Sequence, residues 1–185
     1  MMDDRKQDPT TATFAEDAVI DMPPWRELRD RRATSIDVLE RFGVRRPPVP
    51  IASLMTRMGI HLFPSDSKRF DGALAIDGPF ANVWYRQDMP RTRLNFTLAH
   101  ELGHLLLHDL KVAYRDISVG PVGRHSPLEQ EANAFAGAIL MPRFMLQPLI
   151  YHTGLSVDEL AKRFDVSPAA MSVRIDWLRQ GRSDL

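Results

Sequence analysis

His100, Glu101 and His104 have the spacing that lets a single helix do metal chemistry. Histidines four residues apart share one helix face, one turn above each other, so both imidazoles can grip one zinc ion from the same side. Glu101 points to the neighbouring edge of that face. There it could take a proton from a water whose pKa the ion lowers. A hydrolytic zinc site needs a third protein ligand and one open position for that water.

His108, His125, Glu129 and Glu131 are the candidates for the third ligand. His108 lies eight residues beyond His100, about 12 Å along a helix axis at about 1.5 Å per residue, too far to share the ion. It reads as a packing histidine. On a helical wheel centred on Ala132, Leu128, Phe135, Ala136 and Ile139 form the buried stripe. Glu129 falls at its edge, about 60° away, and Glu131 about 100° away on the other side, nearer solvent. A carboxylate inside an apolar face needs a partner, which favours Glu129. Its alternative role is to cap the helix in the box Ser126-Pro127-Leu128-Glu129, and His125 remains a further candidate ligand. Asn133, one turn after Glu129, could hold a ligand histidine through its other ring nitrogen.

The elements that must position these residues follow from periodicity and punctuation. Residues 1–21 lack periodicity and read as a flexible tail. An amphipathic helix is expected over 25–42, stopped by Gly43, and a short one over 51–58, ended by Gly59. Residues 60–63 read as a strand. Residues 72–76 and 80–85 read as an antiparallel hairpin turning at Asp77-Gly78-Pro79. The helix carrying His100 is expected to start near Asn95 or Thr97 and to reach about residue 109. Leucines surround it, so it should be buried. Residues 114–125 read as a loop. Ser126-Pro127 opens the next helix, which ends at Met141-Pro142. Two short helices over 156–164 and 168–179 close the chain.

Composition narrows the function classes. With 24 basic and 24 acidic side chains the formal charge is zero, which weighs against a dedicated nucleic-acid binder. The absence of cysteine excludes disulfides and thiolate-ligated zinc, leaving imidazole and carboxylate. No apolar signal core or membrane-length run is seen, so a cytoplasmic protein with no membrane partner is expected.

Two stretches carry a resemblance. One is Arg93-Leu94-Asn95-Phe96-Thr97-Leu98-Ala99-His100-Glu101-Leu102-Gly103-His104-Leu105-Leu106-Leu107-His108. The other is Glu129-Gln130-Glu131-Ala132-Asn133-Ala134-Phe135-Ala136, continuing to Leu140-Met141-Pro142. Pro47-Pro48-Val49-Pro50-Ile51 ahead of Leu54 and Gly59 adds to them. Together they resemble the ImmA/IrrE family of metallopeptidases over residues 25–178. The resemblance implies an α+β fold of minimal, gluzincin-like zinc-peptidase type, a small antiparallel sheet packed on the buried helix of the His-Glu-x-x-His motif. It implies one zinc per chain on His100, His104 and Glu129, with Glu101 as the catalytic carboxylate. It also implies a protein substrate, a repressor with a helix-turn-helix domain.

The expected organisation is the tail over 1–21, a peptidase domain over 22–150, and a carboxy-terminal pair over 151–185 resembling a helix-turn-helix. The second helix of that pair opens Pro168-Ala169-Ala170-Met171-Ser172, with little to read base edges, so DNA is not the expected partner. Lys162, Arg163, Arg174, Arg179 and Arg182 could touch phosphates but also read as ordinary surface. Substrate is expected to add to the hairpin edge near 80–85. Tyr85, Tyr114, His125 and His152 are the candidate oxyanion or substrate contacts. Two other readings compete: a module that sequesters a repressor without cleaving it, and a DNA-binding regulator.

Overall fold

The computed structural model describes residues 22–109 and 126–182. The tail over 1–21, the loop over 114–125, Tyr114 and His125 lie outside the described residues.

Two helices, α1 (Pro24–Asp30) and α2 (Ser35–Arg41), replace the single one expected over 25–42. The break is local chemistry. Arg32 takes a φ of 50°, and the Ala33 amide donates to the Leu28 carbonyl at 2.8 Å, closing α1. A capping box then opens α2: the Asp37 amide donates to Thr34 Oγ1 at 3.3 Å, and the Thr34 amide donates to the Asp37 carboxylate at 2.8 Å. Backbone and hydroxyl hydrogen bonds from Thr34 hold the Asp37 pKa below its ordinary value. Periodicity reads straight through this break because the box uses aspartate where glutamate or glutamine is the usual cue.

Helix α3 (Ile51–Arg57) matches its expectation and ends at Gly59, whose φ is +80°. A Cβ there would sit 2.8 Å from Pro23 Cβ, so the position requires glycine on two counts. Strands β1 (Ile60–Ser65), β2 (Gly72–Asp77) and β3 (Phe80–Arg86) form a three-stranded sheet of order β1-β3-β2. The hairpin β2–β3 is antiparallel, as expected. Strand β1 joins β3 in parallel, with Ile60 opposite Ala81 and Leu62 opposite Val83. The sheet is therefore mixed rather than purely antiparallel. Strand β3 is its centre, so residues 80–85 do not offer the free edge expected of them.

Helix α4 (Arg91–Leu107) starts one turn earlier than expected. Pro90 precedes it, and the Arg93 and Leu94 amides both donate to the Pro90 carbonyl at 2.9 Å. Asn95 is thus not a cap. Its side-chain amide donates to the Asp165 carbonyl at 3.1 Å and to the Asp165 carboxylate at 2.9 Å. Every residue from Thr97 to Leu106 is buried, and each buried leucine contributes roughly 1.5–3 kcal/mol. Helix α5 (Pro127–Leu140) packs on α4. Helix α6 (Arg143–His152) follows at 62° to α5. This helix is not among those expected from the sequence, and it carries Pro148 in its interior. No single described helix is long and apolar enough to cross a membrane.

Helices α7 (Val157–Phe164) and α8 (Pro168–Arg179) complete the described chain. Leu160, Phe164, Met171 and Ile175 belong to the same apolar cluster as Trp25, Leu54, Val83, Leu102 and Phe135. Arg174, a candidate phosphate contact, is instead buried, and its Nε donates to the Met141 carbonyl at 3.0 Å. This bond ties α8 to the carboxy-terminal end of α5. Arg174→Met is predicted to lower the unfolding free energy by about 1.5–3 kcal/mol. Urea denaturation reads it, and a loss below about 0.5 kcal/mol, the range of neutral surface changes, would show that the bond carries no weight.

Candidate metal centre

Helix α4 carries His100 and His104 on one face, and α5 brings Glu129 to them. Gly103 sets the distance between the two helices: a Cβ there would lie 3.1 Å from Ala132 Cα and 3.2 Å from Phe135 Cβ. Small residues at the crossing let the backbones approach closely enough for a carboxylate on α5 to reach imidazoles on α4.

His100 Nε2 lies 3.2 Å from one Glu129 oxygen, His104 Nε2 lies 3.2 Å from the other, and the two Nε2 atoms are 3.0 Å apart. All three groups are buried, and together they could hold a metal ion. Donors about 2.1 Å from a tetrahedral ion stand about 3.4 Å apart, so the observed spacing is within a few tenths of an ångström of what such an ion imposes. Burial first, and then the neighbouring His100 ring, push the His104 pKa down to about 3. Its imidazole is therefore neutral at physiological pH and keeps a lone pair to give.

The two remaining ring nitrogens are engaged. His100 Nδ1 lies 3.0 Å from Asn133 Oδ1, the pairing that the helical spacing of Asn133 suggested. His104 Nδ1 lies 2.9 Å from His108 Nδ1, and His108 Nε2 lies 3.2 Å from Glu131. His108 is buried, as a packing histidine would be, and it also touches His104. The signal that could have found it is the repeat of the same four-residue interval at 100, 104 and 108. Glu131 is half-exposed at its side chain and faces away from the trio, as the wheel placed it. Leu128, assigned to the buried stripe, is 43% exposed, since it lies a full turn before the crossing with α4.

Glu129 shows how its two candidate roles divide. Its amide donates to Ser126 Oγ at 3.2 Å, which caps α5, while its carboxylate faces the histidines. Glu101 is fully buried against β2, on the wall of a cleft of about 690 Å³ that also reaches His100, Glu129 and Asn133. The far wall holds Val166, Ser167 and Ala170 from the α7–α8 turn and the start of α8, which the sequence reading did not connect with the site. Tyr85 packs against the core, and His152 is exposed at the end of α6; neither lines the cleft. Arg93 pairs with Asp71 and Arg91 with Asp165, so both arginines hold the site's frame together.

Residues 55–176 match the family model described as the IrrE N-terminal-like domain, a peptidase family. The radiation response metalloprotease IrrE of Deinococcus deserti is 30% identical over 156 residues, covering 78% of this chain and 53% of that protein. A solved structure of a Mycobacterium tuberculosis transcriptional regulator is similar in fold, with a TM-score of 0.53 and 20% identity, over 83% of this chain and 52% of that one. The chain thus spans about half the length of both. The motif on α4, the matched span and the metalloprotease relative agree, and this chain belongs to the ImmA/IrrE family of metallopeptidases.

Proposed function

We propose that this chain is a zinc-dependent endopeptidase that inactivates a partner transcriptional repressor by cleaving it. The observation that carries the reading is the convergence of His100, His104 and Glu129 within hydrogen-bonding distance of one another in a buried site. Two imidazoles and a carboxylate suit zinc in a hydrolytic setting. Zinc held by the three would act as a Lewis acid toward water and the scissile carbonyl. Glu101 would take the proton of the attacking water and return it to the leaving amine. The hydrolysis balances: water adds across the amide, its hydroxyl to the carbonyl carbon and its proton to the nitrogen.

Strand β2 supports a binding mode for an extended substrate. Among the described residues it pairs only with β3, so its other edge is free to pair with a peptide backbone. Asp71 at its head lines the cleft. Gly72, the first residue of β2, presses on the catalytic helix: a Cβ there would collide with Glu101 Oε1 and lie 2.7 Å from Thr97 Cγ2. Bare backbone at this point is what lets Glu101 sit beside the strand. The repressor-type partner is supported by the resemblance in the two sequence stretches.

Three variants separate the parts of this reading. Glu101→Gln is expected to keep its zinc and lose about 10²–10⁴-fold in cleavage rate. Relief of repression that survives in this variant would mean sequestration rather than proteolysis. Glu129→Ala is expected to lose zinc from the purified protein, measured by mass spectrometry of the metal. A full equivalent retained there would contradict the ligand set. Gly72→Ala is expected to keep zinc but cleave about 10²-fold more slowly, through a displaced Glu101, and wild-type turnover would show that the close approach is unimportant.

A further inference from the structure

We infer that His108 and Glu131 are positioning residues, a hydrogen-bonded relay that fixes the tautomer and aim of His104 toward the metal. The inference rests on the zinc reading above and assigns work to residues outside the motif. His104 Nε2 faces Glu129 and His100, so its lone pair belongs to the proposed ion. Its Nδ1 then carries the ring proton and donates to His108 Nδ1 across 2.9 Å. His108 must therefore be protonated at Nε2, which donates to the Glu131 carboxylate across 3.2 Å. With the His104 Nε2 lone pair given to zinc, one assignment of the protons satisfies both contacts of the relay, and it ends on a formal negative charge.

The relay makes the two histidines of the site equivalent in kind. His100 is braced by Asn133 through one bond, and His104 by Glu131 through an imidazole. A carboxylate acting through a buried imidazole makes the far nitrogen of His104 a better donor, and it resists rotation of the ring. His108 is well placed for this because it is the carboxy-terminal cap of α4, with extended backbone dihedrals of −112° and 143°. Its ring is buried, while Glu131 is half-exposed on the neighbouring helix. A histidine kept only to fill space would have no effect on metal affinity beyond its effect on stability.

The test is zinc affinity, measured by competition with a chromophoric chelator, beside the melting temperature of the zinc-free protein. Glu131→Ala changes a half-exposed helical position and is expected to fold normally. It should bind one zinc about 10- to 100-fold more weakly than wild type, with zinc-free melting unchanged. His108→Leu should weaken zinc binding comparably, and His108→Gln should recover much of the loss. Its amide oxygen can accept from His104 and its amide nitrogen can donate to Glu131. The relay is overturned if Glu131→Ala binds zinc within about twofold of wild type, well short of the tenfold or greater loss expected of a removed supporting partner. It is overturned equally if His108→Gln is no better than His108→Leu. A wild-type protein that binds no zinc would remove the metal reading itself and this inference with it, so the two failures are distinct.

Discussion

Two imidazole nitrogens and a carboxylate packed 3.0–3.2 Å apart in a buried site are the constraint from which the rest of this structure follows. Two imidazole nitrogens face one another there, and a carboxylate has been taken out of bulk water. Such an arrangement is costly unless a cation or a rigid frame holds it. The frame is visible. Helix α4 is buried from Thr97 to Leu106, so its rotation is fixed by leucines on nearly every side. The crossing at Gly103 brings α5 close enough for Glu129 to reach across.

Function then depends on what the frame leaves open. One side of the site is closed by β2, whose Gly72 presses on Glu101, and the other is bounded by the turn between α7 and α8. Asp165, in that turn, holds both Asn95 and Arg91 on α4. The carboxy-terminal helices therefore help to build the cleft, and Arg174, one of the charges that could have met phosphate, is spent inside the protein. A DNA-reading role for this pair loses one of its candidate contacts, and Val166, Ser167 and Ala170 line the cleft beside His100 and Glu129 instead.

Much of the site was legible in the sequence because its signals are local. The interval between His100 and His104, and the wheel that separates Glu129 from Glu131, depend only on helical geometry. Asn133 followed from the same helix. What was not legible depends on packing between distant segments. No periodicity places β1 in parallel on the far side of β3, and so none could say that residues 80–85 form the centre of the sheet and β2 one of its two edges among the described residues. The contact of His108 with His104 was not legible because helical spacing speaks only to its distance from a shared ion, and that reading of it as a buried residue outside the trio agrees with its place in the fold. The split between α1 and α2 escaped because Thr34 and Asp37 form the box without its usual glutamate. Helix α6 escaped too, and Pro148 sits within it.

X-ray absorption at the zinc edge of the loaded wild-type protein probes the central claim most directly, since it reports the ligand atoms themselves. The predicted spectrum has two imidazole nitrogens and oxygen ligands in a four-coordinate shell at about 2.0–2.2 Å. A six-coordinate shell of oxygen alone, or one imidazole in place of two, would contradict it.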